Sequence, residues 1–186
     1  MQIIAGVDEV GRGCIVGPVI AAAVILNPKQ PILGLTDSKK LTAKKREALA
    51  VTIKQQAIAW AIGRAEPSEI DAINILQASL LAMARAVQTL QVQPDWLQVD
   101  GNQYPNIDCP GETIVQGDLL VPEISAASIL AKVYRDKEIA ILDVMYPGYE
   151  FFRHKGYPTK LHKEYIQALG ICEQHRRSFA PIKKLL

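Results

Sequence analysis

The stretch IIAGVDEVGRG, residues 3–13, is an apolar run that ends in two acids and opens into a glycine-flanked turn. Ile3 to Asp8 reads as a short buried strand, and Gly11-Arg12-Gly13 as the turn that stops it. Outward from it, Val19 to Leu26 has the unbroken apolar character of a second, fully buried strand. Residues 27–37 hold two prolines and a glycine and read as a loop. Thr42 is placed to cap a helix reaching about Gln56, and Ala57 to Ala65 reads as a third strand. Pro67 suits the first turn of a helix, and Glu69 and Asp71 suit its positive end. Ile70, Ile73, Leu80, Leu81, Ala84 and Val87 carry the helical period on to about Leu90. Trp96–Asp100 and Thr113–Gln116 are two further short strands, each followed by glycine, and Pro122 to about Val144 is a long helix. Strands mixed with helices predict one α/β domain on a central sheet. Residues 1–150 form its core, and residues 151–186 form a small helical appendage with a helix near 159–169.

At 186 residues the chain has the length of a single domain. A chain of that size buries about 70% of its unfolded surface and needs no covalent staple. Cys14, Cys109 and Cys172 are odd in number, far apart and without a C-x-x-C pair, which argues against a zinc site or a disulfide framework. The N-terminus lacks the charged start of a secretory signal. The longest apolar run, Cys14 to Leu26, is shorter than the roughly 20 residues that span a bilayer. A monomer in the reduced cytoplasm, without membrane association, is the expectation. The formal charge is +2 and taken whole names no partner. It is unevenly spread: residues 153–186 hold eight Lys or Arg against two acids, a net +6, which leaves −4 for residues 1–152. An acidic body with a basic end points toward a polyanion.

The acids of the body gather at strand ends beside glycines: Asp8 and Glu9 before Gly11, Asp100 before Gly101, and Asp118 after Gly117. Ligands in open α/β sheets sit beyond strand ends. If these strands are neighbours, four carboxylates meet. Carboxylates so gathered repel one another unless a cation separates them. Hard oxygen donors without Cys or patterned His suit Mg²⁺ or Mn²⁺, and such ions support phosphodiester hydrolysis. Asp8 and Glu9 are adjacent, and adjacent strand residues point to opposite faces. Both reach one site only if the chain turns at Glu9.

Six blocks of the chain, in order, resemble those of ribonuclease HII, the type-2 ribonuclease H. They are Gly6-Val7-Asp8-Glu9-Val10-Gly11-Arg12-Gly13, Asp37-Ser38-Lys39-Lys40-Leu41, Asp100-Gly101-Asn102, Gly117-Asp118 with the helix from Ile124 to Val133, Lys155-Gly156-Tyr157-Pro158, and His175-Arg176-Arg177-Ser178-Phe179. The resemblance implies a ribonuclease H-like mixed central sheet flanked by helices. It implies hydrolysis of the RNA strand of RNA–DNA hybrids, and cutting at single ribonucleotides embedded in duplex DNA, leaving a 3′-hydroxyl and a 5′-phosphate. Asp8, Glu9, Asp100 and Asp118 would then be the catalytic acids that hold Mg²⁺ or Mn²⁺. Gly11, Arg12, Gly13 and Tyr157 would read the 2′-hydroxyl, the group that separates RNA from DNA. Lys39, Lys40 and the basic tail would meet the duplex backbone. The related ribonuclease HIII usually carries another residue where Arg12 stands.

Other polar residues read as structural. His154, His162 and His175 have no compact ligand spacing, and His175 with Arg176 and Arg177 reads as structural or backbone-contacting. Ser125 and Ser128 lack a base partner. Glu123, Asp136 and Asp143 read as helix-surface or capping acids, Asp37 as a loop residue, and Cys14 as a small buried side chain.

Overall fold

The computed structural model describes residues 2–186. Five strands form one mixed sheet: β1 (Ile4–Val10), β2 (Val19–Ile25), β3 (Ala59–Ala65), β4 (Trp96–Asp100) and β5 (Gly111–Ile114), in the order β3-β2-β1-β4-β5. The pairs β3–β2 and β2–β1 are antiparallel, whereas β1–β4 and β4–β5 are parallel. The helices are α1 (Ala43–Gln56), α2 (Pro67–Gln88), α3 (Gly117–Leu120), α4 (Pro122–Met145), α5 (Phe151–His154), α6 (Lys160–Leu169) and α7 (Ala180–Lys183), with a 3-10 turn at Ser38–Lys40.

Every residue of β2 is buried, as its unbroken apolar run requires, because helices cover both faces of the sheet. Val19, Ala21, Ala23 and Ile25 join Ala5, Val7, Leu97 and Val99 beneath Ala78, Ala82, Met83 and Ala86 of α2. Ala22 and Val24 join Ala50 and Ile53 of α1 and Ala127, Leu130 and Ala131 of α4 on the other face. By length and apolarity α2 could cross a bilayer. Here its apolar stripe is spent on the sheet. Thr42 caps α1 as expected, its Oγ1 accepting from Lys45 N at 3.3 Å.

Several element bounds differ from expectation, each for a local reason. Strand β1 runs past Asp8 to Val10 and turns only at Gly11, whose φ of +93° favours glycine. Strand β3 starts at Ala59, because Ala57 N still donates to Ile53 O and closes α1. Strand β5 is Gly111–Ile114, and Gln116 at φ +58° turns the chain so that Gly117 and Asp118 open α3. Helix α2 ends at Gln88 and is interrupted at Asn74, whose Oδ1 accepts from Gln77 N at 3.1 Å and restarts the helix as a cap would.

The basic tail is woven into the body. Val16 bridges His175, Gly17 N donates to Gln174 O at 2.8 Å, and Ile15 N donates to Gly156 O at 2.9 Å. The Asp71 carboxylate of α2 accepts from Arg177 N, Ser178 N and Ser178 Oγ at 2.9, 2.8 and 2.6 Å.

Candidate active site

Parallel pairing of β1 with β4 matches Val7 to Val99, so Asp8 lies beside Asp100 one step further along. Val7 and Val99 face α2, which turns Asp8 and Asp100 to the opposite face, toward α4. Neighbouring strands lie about 4.8 Å apart, and that spacing sets the two carboxylates side by side. Asp8 is buried and accepts from its neighbour, Glu9 N, at 2.7 Å. Its carboxyl is pushed well above the usual range, first by burial and then by the charges of Glu9 and Asp100, with Ser128 of α4 pulling the other way. The Ser128 hydroxyl donates to the buried Ser38 hydroxyl at 3.0 Å, so Asp8 lies next to the 3-10 turn.

Asp100 is held from the third side of the cluster. Its Oδ1 accepts from Gly117 N at 2.8 Å and from Asp118 N at 3.4 Å, which pins the start of α3 to the end of β4. Asp118 is half-buried, and its carboxyl is raised by burial, then by Asp100 and Asp37, while Lys39 opposes the shift. Asp37, expected to be only a loop residue, therefore stands against the acidic cluster while also accepting from Lys39 N at 2.9 Å. Nothing in its spacing from Asp118 signals that.

Glu9 sits on the other face, as a strand unbroken to Val10 dictates. It lines a cleft of about 80 Å³ with Arg12, Ser79, Met83, Asp100 and Asn102. Burial raises its carboxyl, and Arg12, 3.3 Å away, counters that. The chain thus turns two residues later than a shared site for Asp8 and Glu9 requires, and Glu9 meets the cluster around the end of β1. Among the described residues no three acidic, His or Cys side chains stand as a ready-made metal cage. The donor chemistry nonetheless fits a hard divalent cation: all donors are carboxylate oxygens, and Asp8, Glu9 and Asp118 are all raised by burial or mutual repulsion that a cation would relieve.

The remaining expected residues surround the acids. Arg12 and Gly13 are exposed on the turn after β1, and a Cβ on Gly13 would lie 3.6 Å from the Tyr157 ring. Tyr157 is 42% exposed, with its ring over that turn. Lys39 and Lys40 are exposed on the 3-10 turn. Cys14 is buried and its thiol donates to Lys155 O at 3.5 Å. Asp136 pairs with Arg46 and Lys132, and Asp143 accepts from Phe152 N. The three histidines form a buried stack. The His154 and His162 rings are 4.0 Å apart, His162 Nε2 lies 3.2 Å from His175 Nε2, and Cys172 N donates to His175 Nδ1 at 3.0 Å. All three are buried together as neighbours, which their spacing in sequence conceals.

Against known proteins, the family model described as Ribonuclease HII matches residues 5–182. Among solved structures, ribonuclease H2 from Pyrococcus horikoshii OT3 is 27% identical with a TM-score of 0.82, covering 100% of this chain and 97% of that one. The RNase HII solved in complex with PCNA from Archaeoglobus fulgidus is 26% identical with a TM-score of 0.72, covering 94% and 93%. Bst-RNase HIII in complex with Mn²⁺ shares the fold, with a TM-score of 0.76 at 19% identity and coverage of 98% and 68%. With the mixed sheet, the paired acids at its parallel centre and a family match over nearly its whole length, the chain belongs to the ribonuclease HII family and is a ribonuclease H, an endonuclease of the RNA strand in RNA–DNA hybrids.

Proposed function

We propose that this ribonuclease H also cuts at single ribonucleotides embedded in duplex DNA, using divalent ions held by Asp8, Glu9, Asp100 and Asp118. The observation that carries this reading is the placement of the Gly11-Arg12-Gly13 turn, with Arg12 and Gly13 exposed and Tyr157 beside Gly13, directly after the strand that bears Asp8. A reader of one 2′-hydroxyl has to sit within a nucleotide of the acids that act on the neighbouring phosphate. The short path supports the reading: the turn begins at Gly11, three residues beyond Asp8, about 10 Å of extended strand.

Mg²⁺ or Mn²⁺ bound among the four acids would supply an activated water and neutralise charge on the departing 3′-oxygen, leaving a 3′-hydroxyl and a 5′-phosphate. The chain's own part is positional. Gly117 N and Asp118 N orient Asp100, while Glu9 N orients Asp8. Backbone groups of the glycine turn can approach the ribose because no side chain intervenes. Tyr157 offers a flat ring to the sugar. Arg12, Lys39 and Lys40 face solvent, where phosphates of either strand can reach them.

The test is cleavage of a DNA duplex containing one ribonucleotide, with Mg²⁺ or Mn²⁺, beside a continuous hybrid. The wild type is expected to nick both, and Arg12→Ala to lose more on the single ribonucleotide. A wild type that cuts the hybrid and leaves the single-ribonucleotide duplex intact would overturn the reading.

A further inference from the structure

Two arginines lie buried beneath the glycine turn, away from the acids. Arg135 of α4 is 2% exposed and Arg176 of the tail is 0% exposed. Among the described residues neither has a carboxylate within salt-bridge distance; their hydrogen-bond partners are backbone carbonyls, and Arg176 also lies over the Phe179 ring, 5.2 Å from its centre. Arg135 Nη1 donates to Pro18 O and Nη2 to Val16 O, both at 2.8 Å. Arg176 Nε donates to Gly17 O at 2.9 Å and Nη1 to Arg12 O at 3.1 Å. Arg135 Nε and Arg176 Nη2 are buried without any partner. The two charges also oppose each other: burial and then Arg135 bring the Arg176 guanidinium down to about 9.

Burying an unpaired charge costs several kcal/mol on general grounds, and anchoring a loop by carbonyls alone does not require a charge. The arrangement makes sense for a segment whose backbone direction matters. The four carbonyls belong to Arg12, Val16, Gly17 and Pro18, so the arginines grip the loop from 12 to 18 from its inner side. The grip extends to the other half of the reader. A Cβ on Gly156 would lie 3.2 Å from Arg135 Nη2, and the next residue is Tyr157. Arg176 N itself donates to Ile15 O at 2.8 Å.

We propose that Arg135 and Arg176 are positioning residues for 2′-hydroxyl recognition. By fixing the carbonyls of the loop from Arg12 to Pro18, they aim the exposed groups of the glycine turn at a single nucleotide and set Tyr157 opposite them. Their charge, paired with no carboxylate although Arg176 lies over the Phe179 ring at 5.2 Å, also lends that turn a positive potential toward the scissile strand. This inference rests on the reading that the enzyme cuts single ribonucleotides.

A loosened turn has different consequences for two substrates. In a continuous hybrid each neighbouring nucleotide offers a 2′-hydroxyl, so a turn that wanders still finds one. In a duplex with one ribonucleotide there is no second chance. Arg176→Lys keeps a charge but loses the fork that reaches Gly17 O and Arg12 O together. It is expected to lower kcat/KM on the single-ribonucleotide duplex at least tenfold more than on the hybrid, and Arg176→Met more still, with the melting temperature measured alongside. A general weakening of the fold lowers both rates by one factor, and that result, or no loss on either substrate, would overturn the inference.

Where the Arg176 variants do not yield folded protein, Gly17→Ala decides the same question. Its Cβ would meet Arg135 Nη1 at 2.7 Å on a residue with φ +76°, which unseats the arginine without deleting it. The same selective loss is expected, and equal losses reject the proposal. A wild type that itself fails on the single ribonucleotide defeats the underlying reading instead, an outcome distinct from equal losses by the variants.

Discussion

Asp8→Asn tests the electrostatics of the cluster through stability, independently of turnover. Asp8 and Asp100 share a face on adjacent strands, about 4.8 Å apart by strand spacing. At an effective dielectric near 20, two like charges at that distance repel by roughly 3 kcal/mol. An amide at position 8 removes that repulsion and the cost of burying the charge, and its carbonyl oxygen can still accept from Glu9 N. For a chain of 150–250 residues, about 3 kcal/mol corresponds to roughly 6–12 °C in melting temperature. The variant should therefore melt higher than the wild type in chelator at neutral pH while losing cleavage. The sign follows from the raised Asp8 carboxyl. A carboxyl held up in the folded chain costs nothing below its unfolded value, near 3.9, and costs progressively more as pH rises toward the folded value. The gap between variant and wild type should close near pH 4 and open above it. Divalent metal should narrow it again, since an ion at 100 times its Kd adds about 2.7 kcal/mol to whichever protein binds it. Calorimetry or a fluorescence melt at several pH values, with and without Mg²⁺, reads all of this. Equal stability in chelator at neutral pH, or a gap that does not change with pH, would refute the reasoning.

The histidine stack makes an opposite pH prediction. Burial pushes His162 down to about 3 and His175 to about 4, whereas the unfolded chain protonates near 6.5. Stability should be whole above pH 6.5 and fall by about 2.7 kcal/mol per pH unit between roughly 6 and 4 from the two protons that His162 and His175 take up on unfolding, with His154, also lowered by burial, acting in the same direction. Urea midpoints at pH 7, 6 and 5 check this, and a flat profile contradicts it. Asp71→Ala removes the acceptor for three donors of the tail and is expected to cost about 1–3 kcal/mol and to speed proteolysis near Arg177. An unchanged urea midpoint would show that the tail is anchored elsewhere.

The local signals in the chain were the legible ones. Trp96–Asp100 is bounded by Pro94 and Gly101, and Thr42 announces α1, because turn and cap chemistry acts within a few residues. The acids Asp8 and Asp100 were legible as strand-end groups, and the family blocks carried them to one site. What stayed hidden depends on which strands pair. Nothing near Glu9 says that β1 continues to Val10 and turns its side chain toward α2. Asp37 meets Asp118 only through the fold. Arg135 stands in the run Tyr134-Arg135-Asp136-Lys137-Glu138, which looks like the solvated face of a helix, yet it is among the largest fully buried side chains. Its place four residues after Ala131 and four before Ile139 puts it on the buried face of α4, but nothing local says that a charge there is met by carbonyls more than a hundred residues away.

That separation has a consequence for how the enzyme is made. The contact from Arg176 to Arg12 O spans 164 residues. Translation at about 5–20 residues per second thus leaves the turn without that support for roughly 8–30 s after Arg12 is joined. Asp8 and Asp100, by contrast, can pair while the tail is still being added. During synthesis the strands that set Asp8 beside Asp100 are thus joined before the arginine that holds the turn, so the support of that turn is the last of these contacts the growing polypeptide can make.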